Sequence, residues 1–455
     1  MRVARLELSG IGPFEDAVFE VPEPPAGSSG ELVFFEGPNG CGKTTIAQAI
    51  ALAACPGVLV DAPGSDVRLP TIAWRRRFRN IEKHALITLD VDGRTKAVQA
   101  GASSISVQGS PYQMYFGDGD RVQRNFPPER SGVPSCVAYA FRGHQPTPVI
   151  DSPGPRELDV KHIRRRDLFF GEDPAAQFFG QLLVNLDYDR ARTYAFIPRA
   201  TGEEREKLEA SQRSLDAAIH RFEVALSRVL DRRVEIRFEL GRITPRFLFD
   251  DQEIPLDMLG EGLRSTLSWL ADLLVRLELT PWERKDLSPF DQEFWLILDE
   301  VEVNLHPAMQ ARLFPTLRKL FPNARIYATV HSPFAVAAAG EGTVFSIRPR
   351  KDRLVAGPQT VIKLEPGQSL AWVVKEVFGI EQRFLDEETE RKLEEHERAV
   401  NTLAAGHPID WPSFLALRRW LMDLNEQVAT LVAMREVEVQ DAIDAKIEQV
   451  EDAAP

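Results

Sequence analysis

The chain has 455 residues, 44% of them apolar and 27% charged, with a formal net charge of −13. That composition excludes collagen-like, mucin-like and wholly disordered classes, and the length predicts roughly two to three domains. A chain this acidic is not a general nucleic-acid coat, so any DNA or RNA contact has to come from local basic patches.

The three cysteines, Cys41, Cys55 and Cys136, are too few for a disulfide framework and point to a reducing, cytoplasmic setting. The opening stretch MRVARLELSGIGPF alternates like a strand and does not read as a signal peptide. No apolar run approaches the about 18 residues that a membrane-spanning helix needs, so membrane insertion is not expected.

Val3, Leu6 and Leu8 begin an alternating strand, and Phe14, Val18, Phe19 and Val21 predict a second, antiparallel to it. A Pro/Gly/Ser connector over 22–30 leads into Leu32-Val33-Phe34-Phe35, an apolar run that reads as a buried strand. Next comes Gly37-Pro38-Asn39-Gly40-Cys41-Gly42-Lys43-Thr44, which matches G-x-x-x-x-G-K-[ST] in full, and then a helix predicted over 44–54. Glycines let such a loop aim its N–H groups at phosphate oxygens, and the following helix N-terminus adds a positive dipole end. Lys43 would neutralise the β/γ-phosphates of ATP, the Thr44 hydroxyl would ligate Mg²⁺, and Thr45 completes the nucleotide-binding stretch. Further on, 84–91 and 104–108 look like sheet strands.

An amphipathic helix is predicted over 201–230, with Leu208, Leu215, Ile219, Phe222, Leu226 and Val229 on one stripe. Val234, Ile236, Phe238 and Leu240 alternate as a half-buried strand does, and 246–249 and 254–256 flank a polar turn as a hairpin. Leu259-Gly260-Glu261-Gly262 runs into a helix over 265–277, where the glycines could present N–H groups to phosphate or simply form a turn and cap. The strand FWLILDE (294–300) ends in two acids. Asp299 would enter the Mg²⁺ sphere, and Glu300 is placed to orient or deprotonate an attacking water. A helix over 308–320 and a strand over 325–330 complete a β-α-β unit, which favours a parallel sheet. His331, at the end of that strand, can reach a γ-phosphate; a histidine alone would more often be structural, but its place in this order favours the site. Beyond Pro366 helices are predicted over 372–378, 387–403 and 411–449.

Together these motifs resemble the ATP-binding-cassette class of ATPases, which includes the structural-maintenance-of-chromosomes proteins; the resemblance covers most of residues 1–350. It implies that residues 37–44 are the Walker A loop, 259–262 the signature, Asp299-Glu300 the Walker B end, 303–306 the D-loop and His331 the switch histidine. It also implies a homo-oligomer in which two cassettes sandwich ATP between one copy's Walker A and the other's signature. The chain departs from that class where Gly260 replaces the usual signature serine. The LGEG variant, with Asn304-Leu305-His306-Pro307 and His331-Ser332-Pro333, is similar to a bacterial defence branch. That branch holds overcoming-lysogenization-defect nucleases and the ATPase subunits of Septu, PARIS and retron systems, the Septu type being most similar. For the Q-loop, Gln145 is the candidate.

The expected fold is an α/β ABC-type P-loop NTPase with an antiparallel β subdomain, a parallel core sheet, a helical insertion and a C-terminal helical region. The expected partition is 1–155 (lobe I), 156–230 (helical insertion), 231–364 (lobe II) and 365–455 (C-terminal helices). The implied function is an ATPase that dimerises around ATP and regulates a partner effector, a nuclease on another chain, in anti-phage defence. Two other readings stand beside it. One is a DNA-repair or chromosome-associated ATPase whose Arg75–Arg77, Arg79 and Arg164–Arg166 clusters would track DNA, although such runs are more often solvated faces. The other is an inactive nucleotide-binding scaffold, suggested by Gly260.

Overall fold

The computed structural model describes residues 1–24, 30–60, 77–78, 83–91, 94–102, 104–108, 113–116, 122–124, 137–142, 154–158, 178–239, 244–349, 360–380, 386–437 and 439–451. Two antiparallel strands open the chain, β1 (Arg2–Ile11) and β2 (Phe14–Glu20), followed by β3 (Glu31–Glu36). In β3 all six residues are buried, as a run apolar on both faces demands of a strand covered on two sides. Leu32 and Phe34 enter one apolar cluster, Val33 and Phe35 the other. Helix α1 (Lys43–Val60) follows, and its Ile46, Ala47 and Ile50 join Val33 and Phe35.

The remaining strands of the N-terminal sheet are β4 (His84–Val91), β5 (Arg94–Gly101), β6 (Ser104–Val107), β7 (Gln113–Phe116) and β8 (Val122–Arg124). They form an antiparallel sheet in the order β2-β1-β4-β5-β6-β7-β8. Leu6, Leu8, Ile87 and Val98 alternate inward onto α1. The core sheet takes β3 together with β9 (Ala138–Arg142), β13 (Trp295–Asp299), β14 (Arg325–Val330), β15 (Gly342–Ser346) and β16 (Thr360–Leu364). Its order is β16-β15-β3-β14-β13-β9, parallel throughout except for the edge pair β15–β16. The C-terminal ends of β3, β13 and β14 therefore lie side by side, where ligands bind in parallel sheets.

The second face of the core sheet is covered by α2 (Phe179–Phe196), α3 (Gly202–Leu230), α4 (Glu261–Leu279) and α5 (Pro307–Leu320). The stripe expected on α3 is there: Ile219, Phe222, Leu226 and Val229 are buried, and Asp231 in the left-handed conformation ends the helix. A small sheet of β10 (Val234–Arg237), β11 (Arg246–Phe249) and β12 (Gln252–Glu253) carries the expected hairpin. Its turn places Asp250 and Asp251 at positive φ, which suits the twist of a two-residue hairpin. The second arm is Gln252–Glu253 and not the expected 254–256, because the turn closes at Asp250-Asp251 and Pro255 leads into a 3₁₀ turn at Leu256–Met258. Short helix α6 is Pro333–Ala337, and α7 (Leu370–Trp372) passes into a π-helical turn at Val373–Val377.

The chain divides into two compact units, Met1–Gly379 and Ile380–Pro455; residues 365–379 group with the first. The second unit holds α8 (Glu387–Ala404), α9 (Trp411–Leu424), α10 (Glu426–Glu436) and α11 (Gln440–Glu451). The single helix expected over 411–449 is thus three. Asn425 breaks it with extended backbone and caps α10 by accepting from the Val428 N–H. The fold-back lets Leu421, Val428 and Val432 meet Leu393 in one core. Among the described residues no helix is long and apolar enough to cross a membrane.

Candidate active site

The loop between β3 and α1 is shaped by its glycines. Gly42 has φ +100, and a Cβ there would lie 2.5 Å from the Phe14 ring, so only glycine fits between the turn and β2. Lys43 is buried, and its ammonium donates to the carbonyls of Gly37 (2.7 Å) and Pro38 (3.2 Å). Cys41 is packed inside the loop, where burial pushes its thiol up despite the opposing pull of Lys43. It is therefore a small space-filling residue and not an activated thiolate. Behind the loop, Glu36 accepts from Ser346 Oγ (3.0 Å) and Arg348 (2.8 Å), yet burial still raises its carboxyl above the ordinary range.

The β-strand ends bring four of the expected residues together. The Thr44 hydroxyl donates to Asp299 Oδ1 at 3.1 Å, across 255 residues of sequence. Thr329, at the end of β14, donates to the same oxygen at 2.8 Å and accepts from the Glu300 N–H at 3.1 Å. Glu300 sits at φ +56 just past β13. Its Oε1 lies 3.0 Å from His331 Nε2, with both side chains partly exposed. Thr44 and Asp299 offer paired hard oxygen donors, the type that suits Mg²⁺. Glu300 and His331 are a carboxylate–imidazole pair open to water, able to accept and hold a proton.

The 259–262 segment goes elsewhere in the chain. Leu259 is buried, Gly260 caps α4 without a side-chain bond, and Glu261 is exposed in its first turn. A Cβ on Gly262 would meet the Asn304 carbonyl oxygen at 2.3 Å, and Asn304 Nδ2 donates to Glu261 Oε1 at 3.4 Å. Asn304 itself is at φ +67, and His306 caps α5. The segment 259–262 thus packs on the stretch that follows Glu300.

Several participants carried no sequence signal. Thr329 is one of many strand threonines. Glu302 is 1% exposed, accepts the His331 N–H at 2.6 Å, and is pushed up to about 7 by burial. Gln310 likewise gains meaning only once the strand ends are adjacent, whereas Asn304 and Ser332 belong to the resembling motifs and here acquire their partners. Arg77 belongs to a cluster expected to face solvent or a nucleic-acid backbone. It donates instead to the Thr45 hydroxyl at 2.8 Å, while its carbonyl accepts from Gly12 N. Gln145, Arg75, Arg76, Arg79 and Arg164–Arg166 lie outside the described residues.

Two family models match the chain, "AAA domain" over residues 5–120 and "AAA domain, putative AbiEii toxin, Type IV TA system" over 154–337. Among curated proteins the chain is 24% identical over 164 residues to the "Retron Ec83 probable ATPase" of Escherichia coli, covering 36% of this chain and 29% of that one. It is 26% identical over 157 residues to the "Septu protein PtuA" of Bacillus thuringiensis, covering 31% of this chain and 40% of the relative. The match spans less than half the length of either relative. Among solved structures, an SMC head bound to the C-winged helix domain of ScpA is similar over 80% of this chain and 98% of its own, at 13% identity and TM-score 0.44. The SMC head domain from Thermotoga maritima is similar at 14% identity and TM-score 0.38, over 80% of this chain and 100% of its own.

Proposed function

From the premise that this chain is a P-loop ATPase built of AAA-type domains, we propose that it binds and hydrolyses MgATP and regulates a partner effector. The observation that carries the reading is the convergence of Thr44, Asp299, Glu300 and His331 at three adjacent strand ends. The loop over 37–45 cradles the phosphates, and Lys43 turns from its own loop carbonyls to the β/γ-oxygens. Thr44 and Asp299 would hold Mg²⁺, which when bound offsets the phosphate charge. Glu300 aligns a water and takes its proton as the water oxygen bonds to the γ-phosphorus. The bond from the γ-phosphorus to the β,γ-bridging oxygen breaks, and its electron pair leaves with ADP. His331 holds Glu300 in place and faces the γ-phosphate.

In this reading two copies close around ATP, one copy's 259–262 segment completing the other's pocket, and nucleotide links to association. Gly260 leaves only main-chain donors at that position. The effector would be a nuclease on another chain, in cytoplasmic anti-phage defence; the likeness to the retron and Septu proteins supports this. Residues 380–455 are the docking region, where Met434 and Val437 stay 70% and 72% exposed. Arg77, turned to Thr45, favours the nucleotide pocket over a duplex as the use of that cluster.

Glu300→Gln tests the reading. Hydrolysis should fall about a thousandfold while ATP binding is kept and the closed dimer accumulates. Phosphate release at the wild-type rate would remove Glu300 from its role.

A further inference from the structure

His331 is the first residue past β14, so its main-chain N–H has left the sheet ladder. It donates at 2.6 Å to Glu302 Oε1. Glu302 is almost fully buried, and its second oxygen has no hydrogen-bond partner. The desolvation cost of a carboxyl held there is offset by main-chain N–H groups, that of His331 first and that of Ser332 with it. A second tie runs alongside. Gln310, on α5, donates through Nε2 to the carbonyls of Glu302 (3.2 Å) and Leu305 (3.0 Å). Its Oε1 accepts from Ser332 Oγ at 2.6 Å, and Ser332 Oγ accepts from Ala335 N, capping the next helix. The stretch that carries Glu300, and on which Gly262 packs at Asn304, is thus bound twice to the stretch that carries His331.

We infer that Glu302 and Gln310 are positioning residues that set the His331 imidazole against Glu300, so that a shift of the Asn304 stretch is passed to the proton-accepting pair. The inference rests on the reading of Glu300 and His331 given above. Without the Glu302 oxygen, the part-buried His331 amide loses its acceptor and the backbone under the ring is held only by the Gln310–Ser332 tie. Glu302 touches no reacting atom and acts through the backbone that carries His331.

The test uses the full chain and MgATP. Glu302→Met, which keeps volume and removes the acceptor, should lower kcat about tenfold while KM for ATP stays within about twofold. Glu302→Gln retains an acceptor oxygen and should restore at least about half of the wild-type rate. In a His331→Ala background, Glu302→Met should cost nothing further, because the two act as one unit. An equal tenfold loss in that background, or Glu302→Gln as slow as Glu302→Met, overturns the inference. Should Glu302→Met not fold, Gln310→Leu enters the same comparison with His331→Ala, with non-additive loss expected and additive loss fatal. Hydrogen exchange separates this from the hydrolytic reading. The His331 amide should exchange faster in Glu302→Met and at the wild-type rate in Glu302→Gln, whether or not ATP is turned over. Unchanged exchange in Glu302→Met sinks the inference even if Glu300→Gln has already confirmed the pocket.

Discussion

Among the described residues two histidine–glutamate hydrogen bonds of the same chemistry lie in two different settings. In the first unit His331 Nε2 lies 3.0 Å from Glu300 Oε1, with the side chains 32% and 41% exposed. In the second, His396 Nε2 lies 2.8 Å from Glu436 Oε1, with exposures of 1% and 0%. Arg418 also donates to both oxygens of Glu436, and the His396 ring stacks on Phe414 at 5.2 Å. The sealed pair is closed off from solvent and tied to Arg418, so it orders a small helical unit. The open pair stands at the ends of parallel strands, partly exposed to solvent, where the proposed function puts the attacking water and the γ-phosphate. Surroundings, not residue types, distinguish the sealed pair from the open one.

The largest effect expected from breaking this contrast is in the sealed pair. Glu436→Ala leaves the buried His396 and the half-buried Arg418 without their acceptor and should destabilise residues 380–455 by about 3 kcal/mol in denaturant titration. Phosphate release should stay within about twofold of wild type. A stable variant that fails to hydrolyse ATP would erase the distinction between the pairs.

Glu302 sharpens it next. Its carboxyl is pushed up from the ordinary 4.5 to about 7, chiefly by desolvation. The native state therefore holds a proton that the unfolded state has lost between these values. Stability from this group is full below about 4.5 and falls as pH rises toward about 7, by on the order of 3 kcal/mol, then levels. Denaturant midpoints at pH 5 and pH 8 should differ less in Glu302→Gln than in wild type by that amount. Equal pH dependence would show that the buried carboxyl is not neutral.

His331→Ala comes third. It should slow hydrolysis about a hundredfold without moving the melting temperature, since the ring is partly exposed. A loss of stability like that of Glu436→Ala would make the open pair structural too. The smallest effect is that of Lys43→Ala, which should weaken ATP binding about tenfold in a direct titration. Unchanged affinity would detach the phosphate cradle from the pair it is meant to serve.

Much of the first unit could be read in one dimension. Strand β3 announces itself by four successive apolar residues, and the phosphate loop by the spacing of Gly37, Gly42, Lys43 and Thr44. Asp299 and Glu300 follow an apolar run that can only be a covered strand. Helix α3 shows its buried stripe directly. The second unit was less legible. Apolar residues from Phe414 to Val432 keep helical spacing through Asn425, so periodicity alone ran one helix across a turn. His396 sits in an acidic, featureless helix, and nothing local marks it as the centre of a buried network.

The sequence by itself determined the local pieces: the phosphate loop, the acid-tipped strand, the histidine after the next strand, and the helices with their inward stripes. These depend on spacing and on backbone conformations that only certain residues adopt. Only the tertiary structure decided that Thr329 bridges Asp299 to Glu300, that Glu302 and Gln310 anchor the His331 backbone, and that Arg77 meets Thr45. Those roles arise from strand order, because the parallel register of β3, β14 and β13 joins residues more than 250 positions apart, and no local pattern carries that information.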